Sequence, residues 1–286
     1  MKAFNITVIH ESAPMIVAKA QEELVERMDP GFWDPKYVDV TKQLLDFGAI
    51  PLREIAERPV SGYRSGKLEY KAEGPIAIVK VGDILNTGVD WSQVDFLEET
   101  SPANTPNRRI NQGDILICRS GEGGAGRGKL CLAYTLKFPS CVHGHVYRMG
   151  ISKGLSPYVV IFLKTKFGQL QIQRCISGVG VPELDADDIL NFLIAYPSEP
   201  IPRRVAEEYT KLGEYHSRAI EAKSKMLKAR KHGNTTAAER YQVEYERNLK
   251  IARAMLNDLI RQVEEIIEGK RTEIEPVDCI LKENQS

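Results

Sequence analysis

The feature that most constrains this chain is an abrupt change of texture near residue 200. No proline occurs between Pro202 and Pro276, and Glu, Lys, Arg and Ala dominate the interval. Within it Tyr245, Leu249, Ala252, Leu256, Leu259, Val263 and Ile266 recur in alternating steps of four and three. That alternation keeps one apolar seam on a helix and is the coiled-coil period. Upstream, Val205, Tyr209, Leu212, His216, Ala219, Lys223 and Met226 keep the same steps, with His216 and Lys223 as polar breaks. Between the halves, His232-Gly233-Asn234-Thr235-Thr236 offers a helix stop at Gly233 and an N-cap at Thr235 or Thr236, with Glu239 placed to support it. Residues 201–268 are predicted to form an antiparallel helical hairpin, each arm about 45 Å long at the standard rise. A single straight helical tail is the alternative. The seam, represented by Tyr245, Leu249, Leu256, Leu259, Val263 and Ile266, is the expected partner or dimer interface.

The preceding 200 residues read differently. Short β-like runs at 76–81, 114–118, 129–136, 141–149 and 158–163 are separated by Gly, Pro and Asn. A short helix is expected over 168–175 and a last buried strand over 189–196. Ahead of these, a strand-like run at 4–9 and a helix over 13–28 precede a break at Asp29-Pro30-Gly31 and Asp34-Pro35, then a helix over 37–47. The fold class is α+β. An N-terminal helical arm (1–50) is followed by a β-rich domain (51–200), a helical spacer (201–268) and a C-terminal tail (269–286).

Charge narrows the function. The chain is neutral overall, with 39 Lys and Arg against 39 Asp and Glu. Residues 100–182, however, hold eleven basic side chains and only two acids, Asp114 and Glu122, and no acid falls between Gly123 and Pro182. Such a block predicts one face that meets a polyanion. No apolar stretch approaches the eighteen residues of a membrane span. The five cysteines (Cys118, Cys131, Cys141, Cys175, Cys279) are odd in number and lack C-x-x-C spacing. With no secretion signal at the N-terminus, they predict reduced thiols and a cytoplasmic location.

Several motifs imitate catalysis. Gly121, Gly123 and Gly126 satisfy G-x-G-x-x-G, and Gly123, Gly128 and Lys129 nearly satisfy a P-loop, with Leu130 where Ser or Thr is required. Both need a helix after the glycines to hold phosphate. The residues that follow, Lys129 to Tyr134, read as a strand, and the next acid is Glu183. A glycine loop carrying Arg127 and Lys129 to DNA phosphates fits better. Cys141, His143 and His145 alternate, with Cys131 nearby, but the spacing matches no usual zinc module. Glu69-Tyr70-Lys71 is half of a nuclease centre without its Asp. A DNA methyltransferase requires Asn/Asp-Pro-Pro-aromatic, and the chain contains no Pro-Pro pair. No catalytic constellation, cofactor or metal is predicted.

Further segments carry a family resemblance. Arg27-Met28-Asp29 with Phe32-Trp33 and Pro35-Lys36-Tyr37 comes first, then Gly74-Pro75-Ile76 through Lys80-Val81-Gly82-Asp83-Ile84. Next are Gly113-Asp114-Ile115-Leu116 with Ser120-Gly121, then Gln169-Leu170-Gln171-Ile172, Ser177-Gly178 and Pro182-Glu183-Leu184, and finally Asp188-Ile189 to Pro197 leading to Arg203. In order and spacing, over residues 27–268, they resemble the specificity subunits of type I restriction-modification systems. The resemblance implies a non-catalytic subunit that reads double-stranded DNA for an adenine methyltransferase and, for cleavage, a motor-nuclease subunit. Members carry two recognition domains and this chain has one. A homodimer or a second recognition chain is therefore expected to supply the other half. The candidate DNA-contacting residues are Lys80, Arg108, Arg109, Arg119, Arg127, Lys129, Arg148, Lys164, Lys166, Gln169 and Arg174. A recognition subunit of another anti-phage methylation system is the alternative, and a small nuclease or nucleotide-dependent enzyme the third reading.

Overall fold

The computed structural model describes residues 33–63, 68–120, 126, 128–176 and 183–277. The expected strand at 4–9, the expected helix at 13–28 and Arg127 lie outside the described residues.

Helix α1 (Pro35–Asp46) starts where Asp34 caps the Lys36 amide at 3.0 Å and Pro35 opens the first turn. It buries Tyr37, Val40 and Leu44. Short strands follow: β1 (Ile50–Pro51), β2 (Val60–Ser61), β3 (Ile76–Val79), β4 (Ile84–Leu85), β5 (Gly88–Val89) and β6 (Asp95–Leu97). The chain continues through β7 (Ile115–Cys118), β8 (Leu130–Leu132), β9 (Ser140–Val142) and β10 (Val146–Met149). A four-stranded antiparallel sheet runs β2-β10-β7-β8, and a mixed three-stranded sheet runs β6-β3-β9 with β3 and β9 parallel. Strands β3, β7, β8, β9 and β10 are buried throughout, so they read as mostly apolar runs, broken by the buried Ser140 and Arg148, rather than as alternating ones.

Three helices follow: α2 (Ser156–Lys164), α3 (Lys166–Ile176) and α4 (Ala186–Leu190), then β11 (Leu193–Ile194), which pairs with β1. Two expectations are corrected here. The run at 158–163 is a helix, not a strand. It is apolar on every side and buried all round, so neither the helical nor the strand period marks it, and its Tyr-Val-Val-Ile-Phe-Leu composition favours the wrong choice. The expected strand at 189–196 begins as α4, because Asp185 caps the Asp187 amide at 2.8 Å; only Leu193–Ile194 pairs as strand.

The long elements are α5 (Pro200–Lys231) and α6 (Thr235–Ile267), packed against each other as a hairpin. Gly233 stops α5 at φ +70, in the left-handed region that favours glycine. The cap of α6 is Asn234, whose side chain accepts from the Ala237 amide at 3.0 Å, rather than Thr235 or Thr236.

The expected interface seam also needs correction. Leu249, Leu256, Leu259, Val263 and Ile266 are buried within this one chain, and Tyr245 is half-buried. From Ala252 onward the seam joins Val205, Tyr209 and Leu212 of α5 and the apolar helix α2 in the main core. The hairpin supplies its own partner helix, and the β-rich layers supply the third wall. Past α6, Ile274 and Val277 are buried, with Gln262 holding the Glu275 backbone at both its amide (2.7 Å) and its carbonyl (3.2 Å).

The two polar breaks in the seam mark where the hairpin meets the β-rich part. The His216 Nε2 lies 3.0 Å from the Val89 carbonyl, and its Nδ1 lies 2.9 Å from the Thr87 hydroxyl. A carbonyl only accepts, so Nε2 carries the proton and Nδ1 accepts from Thr87, the neutral tautomer. Burial agrees, holding the His216 pKa below the usual imidazole value. About two turns further on, Lys223 pairs with Asp90. Glycine permits the close approach: a Cβ on Gly88 would lie 2.6 Å from the His216 ring, and one on Gly213 would lie 2.5 Å from the Tyr134 ring.

Candidate nucleic-acid interface

At one end of the sheets several loops are tied together. The turn at His143–His145 joins β9 to β10, and the His143 amide donates to Val79 at the end of β3 at 2.9 Å. Tyr63, after β2, bridges to His143, and Arg109 bridges to Cys141. The Arg119 amide donates to the His145 carbonyl, and the Leu184 amide to the Arg119 carbonyl, each at 3.0 Å. Ser120 Oγ sits 2.6 Å from His145 Nδ1, and the rings of His143 and His145 are 5.2 Å apart. A Cβ on Gly126 would lie 2.9 Å from the Val81 side chain, so Gly126 sits against the segment after β3.

This cluster holds five of the eleven candidate residues. Lys80 pairs with Asp95 and lies 3.6 Å from the Tyr70 ring centre. Arg108 stacks 5.5 Å over Tyr63 and donates to the Pro102 carbonyl, and Arg109, exposed, donates to Asn104. Arg119 stacks on Tyr147 and pairs with Glu183 at 2.5 Å. Lys129 follows the glycine turn, half-buried, ahead of β8. Burial, the His145 ring and the Lys80 charge together hold His143 below the ordinary imidazole pKa, so at neutral pH it offers one donor and one acceptor. His143, His145, Ser120 and Tyr63 join the site only through the fold. The available signal was the His-Gly-His turn between two strands.

The other described candidates lie elsewhere, which corrects the expectation of a single basic face. Arg148 is buried and pairs with Glu57 at 2.6 Å and Asp114 at 3.2 Å. Lys164 turns its Nζ inward to the Leu130 carbonyl at 2.5 Å, and burial lowers its pKa to about 8. Lys166 pairs with Glu268 at the base of the hairpin, while Gln169 donates to the Leu163 carbonyl. Arg174 stacks on Trp33 and donates to Thr41 of α1. Glu57, Glu183 and Glu268, remote in sequence, fold back onto Arg148, Arg119 and Lys166, so part of the block's charge is neutralised within the chain.

The imitation motifs resolve similarly. After Gly126 and Gly128, both at positive φ, comes strand β8 rather than the helix that both motifs require for phosphate binding. Burial pushes the thiols of Cys131 and Cys118 up to about 12 and that of Cys141 up to about 11, which keeps them protonated and poor as nucleophiles or metal ligands. Glu69 is exposed, and Lys71 is paired with Glu98.

No family model and no curated protein matches the chain. Among solved structures it is similar to the type I restriction-modification system S subunit from M. genitalium, at 12% identity and a TM-score of 0.40, over 64% of this chain and 42% of that one. The fold and site together define a β-rich α+β layer docked along a helical hairpin, with cationic and amide side chains gathered on its loops. Among the described residues, no helix is long and apolar enough to cross a membrane.

Proposed function

We propose that this chain is a non-catalytic, sequence-specific DNA-recognition subunit of a restriction-modification system, directing a partner adenine methyltransferase to its site. The observation that carries this reading is the loop cluster. It brings Lys80, Arg108, Arg109, Arg119 and Lys129 together with Tyr63, Asn104, Ser120, His143 and His145 on segments anchored by buried strands. Cations on such loops fix register on phosphates, while amide, hydroxyl and imidazole groups read base edges. The ordered motifs in the sequence support the family, and the methyltransferase and motor-nuclease partners come with that resemblance.

The test is binding of the purified chain to randomised duplexes followed by selection. A defined site should emerge. Arg109→Ala with Lys129→Ala should flatten the salt dependence by about two contacts' worth of slope on every sequence. Incubation with S-adenosylmethionine and duplex DNA should transfer no methyl group unless the methyltransferase is added. Methyl transfer by the homogeneous chain, or binding that selects no site, would overturn the reading.

A further inference from the structure

The hairpin is electrically polarised along its length. Its distal part, residues 224–253, carries eight Lys and Arg against three Glu, while the proximal parts, residues 200–223 and 254–277 together, carry ten acids against eight bases. The two parts also differ in pairing. Nearer the β-rich layers, Arg203 and Arg204 pair with Glu207, Arg218 with Glu214, and Arg261 with Asp258 and Glu265. At the far end, Lys228, Lys231, Arg247, Lys250 and Arg253 form no ion pair among the described residues. Lys228 with Lys231, Arg247 with Lys250, and Lys250 with Arg253 stand three apart, neighbours of like charge on a helix surface. That spacing destabilises an isolated helix where alternating charge would stabilise it. Among the described residues, the ion pair to the β-rich part nearest the far end is Lys223 with Asp90, and beyond it most residues of the hairpin are exposed.

We infer that the distal end of this hairpin is a second DNA-contacting surface, holding the phosphate backbone of duplex outside the sequence read by the loops. The 33 residues of α6 span about 50 Å, equivalent to roughly 14 base pairs of B-form duplex. The free cations Lys228, Lys231, Arg247 and Lys250 supply charge without geometric fixing, which suits sequence-independent contact. This inference rests on the DNA-recognition reading and adds to it a footprint longer than the loops alone provide.

The test replaces four exposed cations in the full chain: Lys228→Gln, Lys231→Gln, Arg247→Gln and Lys250→Gln together. Circular dichroism and the melting curve establish that the variant is folded. Binding is measured against salt on a duplex of about 12 base pairs, little more than one helical turn, and on one of about 40 that contains the same site. The short duplex should bind parent and variant alike. On the long duplex the variant's salt dependence should be shallower by about two units of slope or more, at roughly 0.9 per phosphate contact, and affinity at about 0.15 M salt should fall at least tenfold. Equal slopes on the long duplex overturn the inference and leave the surface to a protein partner. Loss of binding in the Arg109 and Lys129 loop variant alone keeps DNA recognition and refutes the hairpin contact. Loss in the hairpin variant alone refutes the loop site and keeps the hairpin contact. A parent chain that binds neither duplex refutes both.

Discussion

Leu259→Ala separates a seam closed within one chain from a seam awaiting a second. Leu259 is completely buried, in the core shared by α5, α6 and α2. Truncation to Ala removes three carbons, about 2.4 kcal/mol of transfer free energy at 0.8 per methylene. The residual cavity raises the total to about 3–4 kcal/mol, within the range for buried leucines. For a chain of this size each kcal/mol moves Tm by roughly 2–4 °C, so a fall of about 6–16 °C is expected. The assay is thermal or urea unfolding at two protein concentrations a factor of about fifty apart. Because the seam is intramolecular, the parent and the variant should each keep the same midpoint at both concentrations, whereas a seam made by two chains would shift with mass action. Val243→Ala, at an exposed position on α6, is the control and should stay within about 0.5 kcal/mol. A midpoint that still climbs with concentration in about 0.5 M salt, where pairing through charged outer faces is screened, or a Leu259→Ala chain as stable as the parent, would refute an internal seam.

Three further outcomes follow from how the hairpin docks. Gly213→Ala places a Cβ 2.5 Å from the Tyr134 ring and should cost about 1–3 kcal/mol in urea unfolding, by pushing α5 off the β-rich part. Lys223→Met leaves Asp90 buried without its cation and should cost about 3–5 kcal/mol, with Asp90→Asn in the same chain recovering part of the loss. His216 is held neutral in the fold, its pKa below the unfolded value of about 6.5. Since the unfolded chain takes up that proton first, the His216 contribution is complete above pH of about 6.5 and is lost as pH falls through that value. His216→Gln should flatten that part of a stability-against-pH curve, and an unchanged curve would show that the ring is not buried neutral.

Legibility in the sequence followed periodicity. The hairpin showed itself because a four-three alternation over two arms has few other solutions, and α1 because the prolines and glycine through Asp34-Pro35 mark a break just before it. Helix α2 did not, since a segment apolar all round has no face to betray its period. The candidate site was legible in part. Counting charge located the acid-free block, but a count cannot see that Glu57, Glu183 and Glu268 fold back onto Arg148, Arg119 and Lys166. The polar breaks at His216 and Lys223 looked like defects in a seam. They are its docking points to Thr87, Val89 and Asp90, which lie more than 120 residues away in sequence.

A seam closed within the chain changes what two copies can do for each other. Leu256→Asp or Val263→Asp now attacks the main core, so such variants should unfold the chain rather than merely dissociate it. Pairing between copies through the hairpin would have to use its outer faces, where charged residues predominate. It should therefore weaken with salt, as exposed ion pairs do. Symmetry survives this change of surface. Two identical chains meeting through one isologous contact are related by a two-fold axis, whichever face they use. On the DNA-recognition reading proposed above, their loop clusters would then present the same side chains to opposite DNA strands, and the site would be an interrupted palindrome whose gap is set by the length of the hairpins. Light scattering with the methyltransferase present should find two recognition chains per complex, and mapping the methylated adenines should place them in inverted half-sites. One recognition chain acting alone on a continuous, asymmetric site would rule out the two-fold arrangement, while leaving the loop cluster as the reader of whatever half it binds.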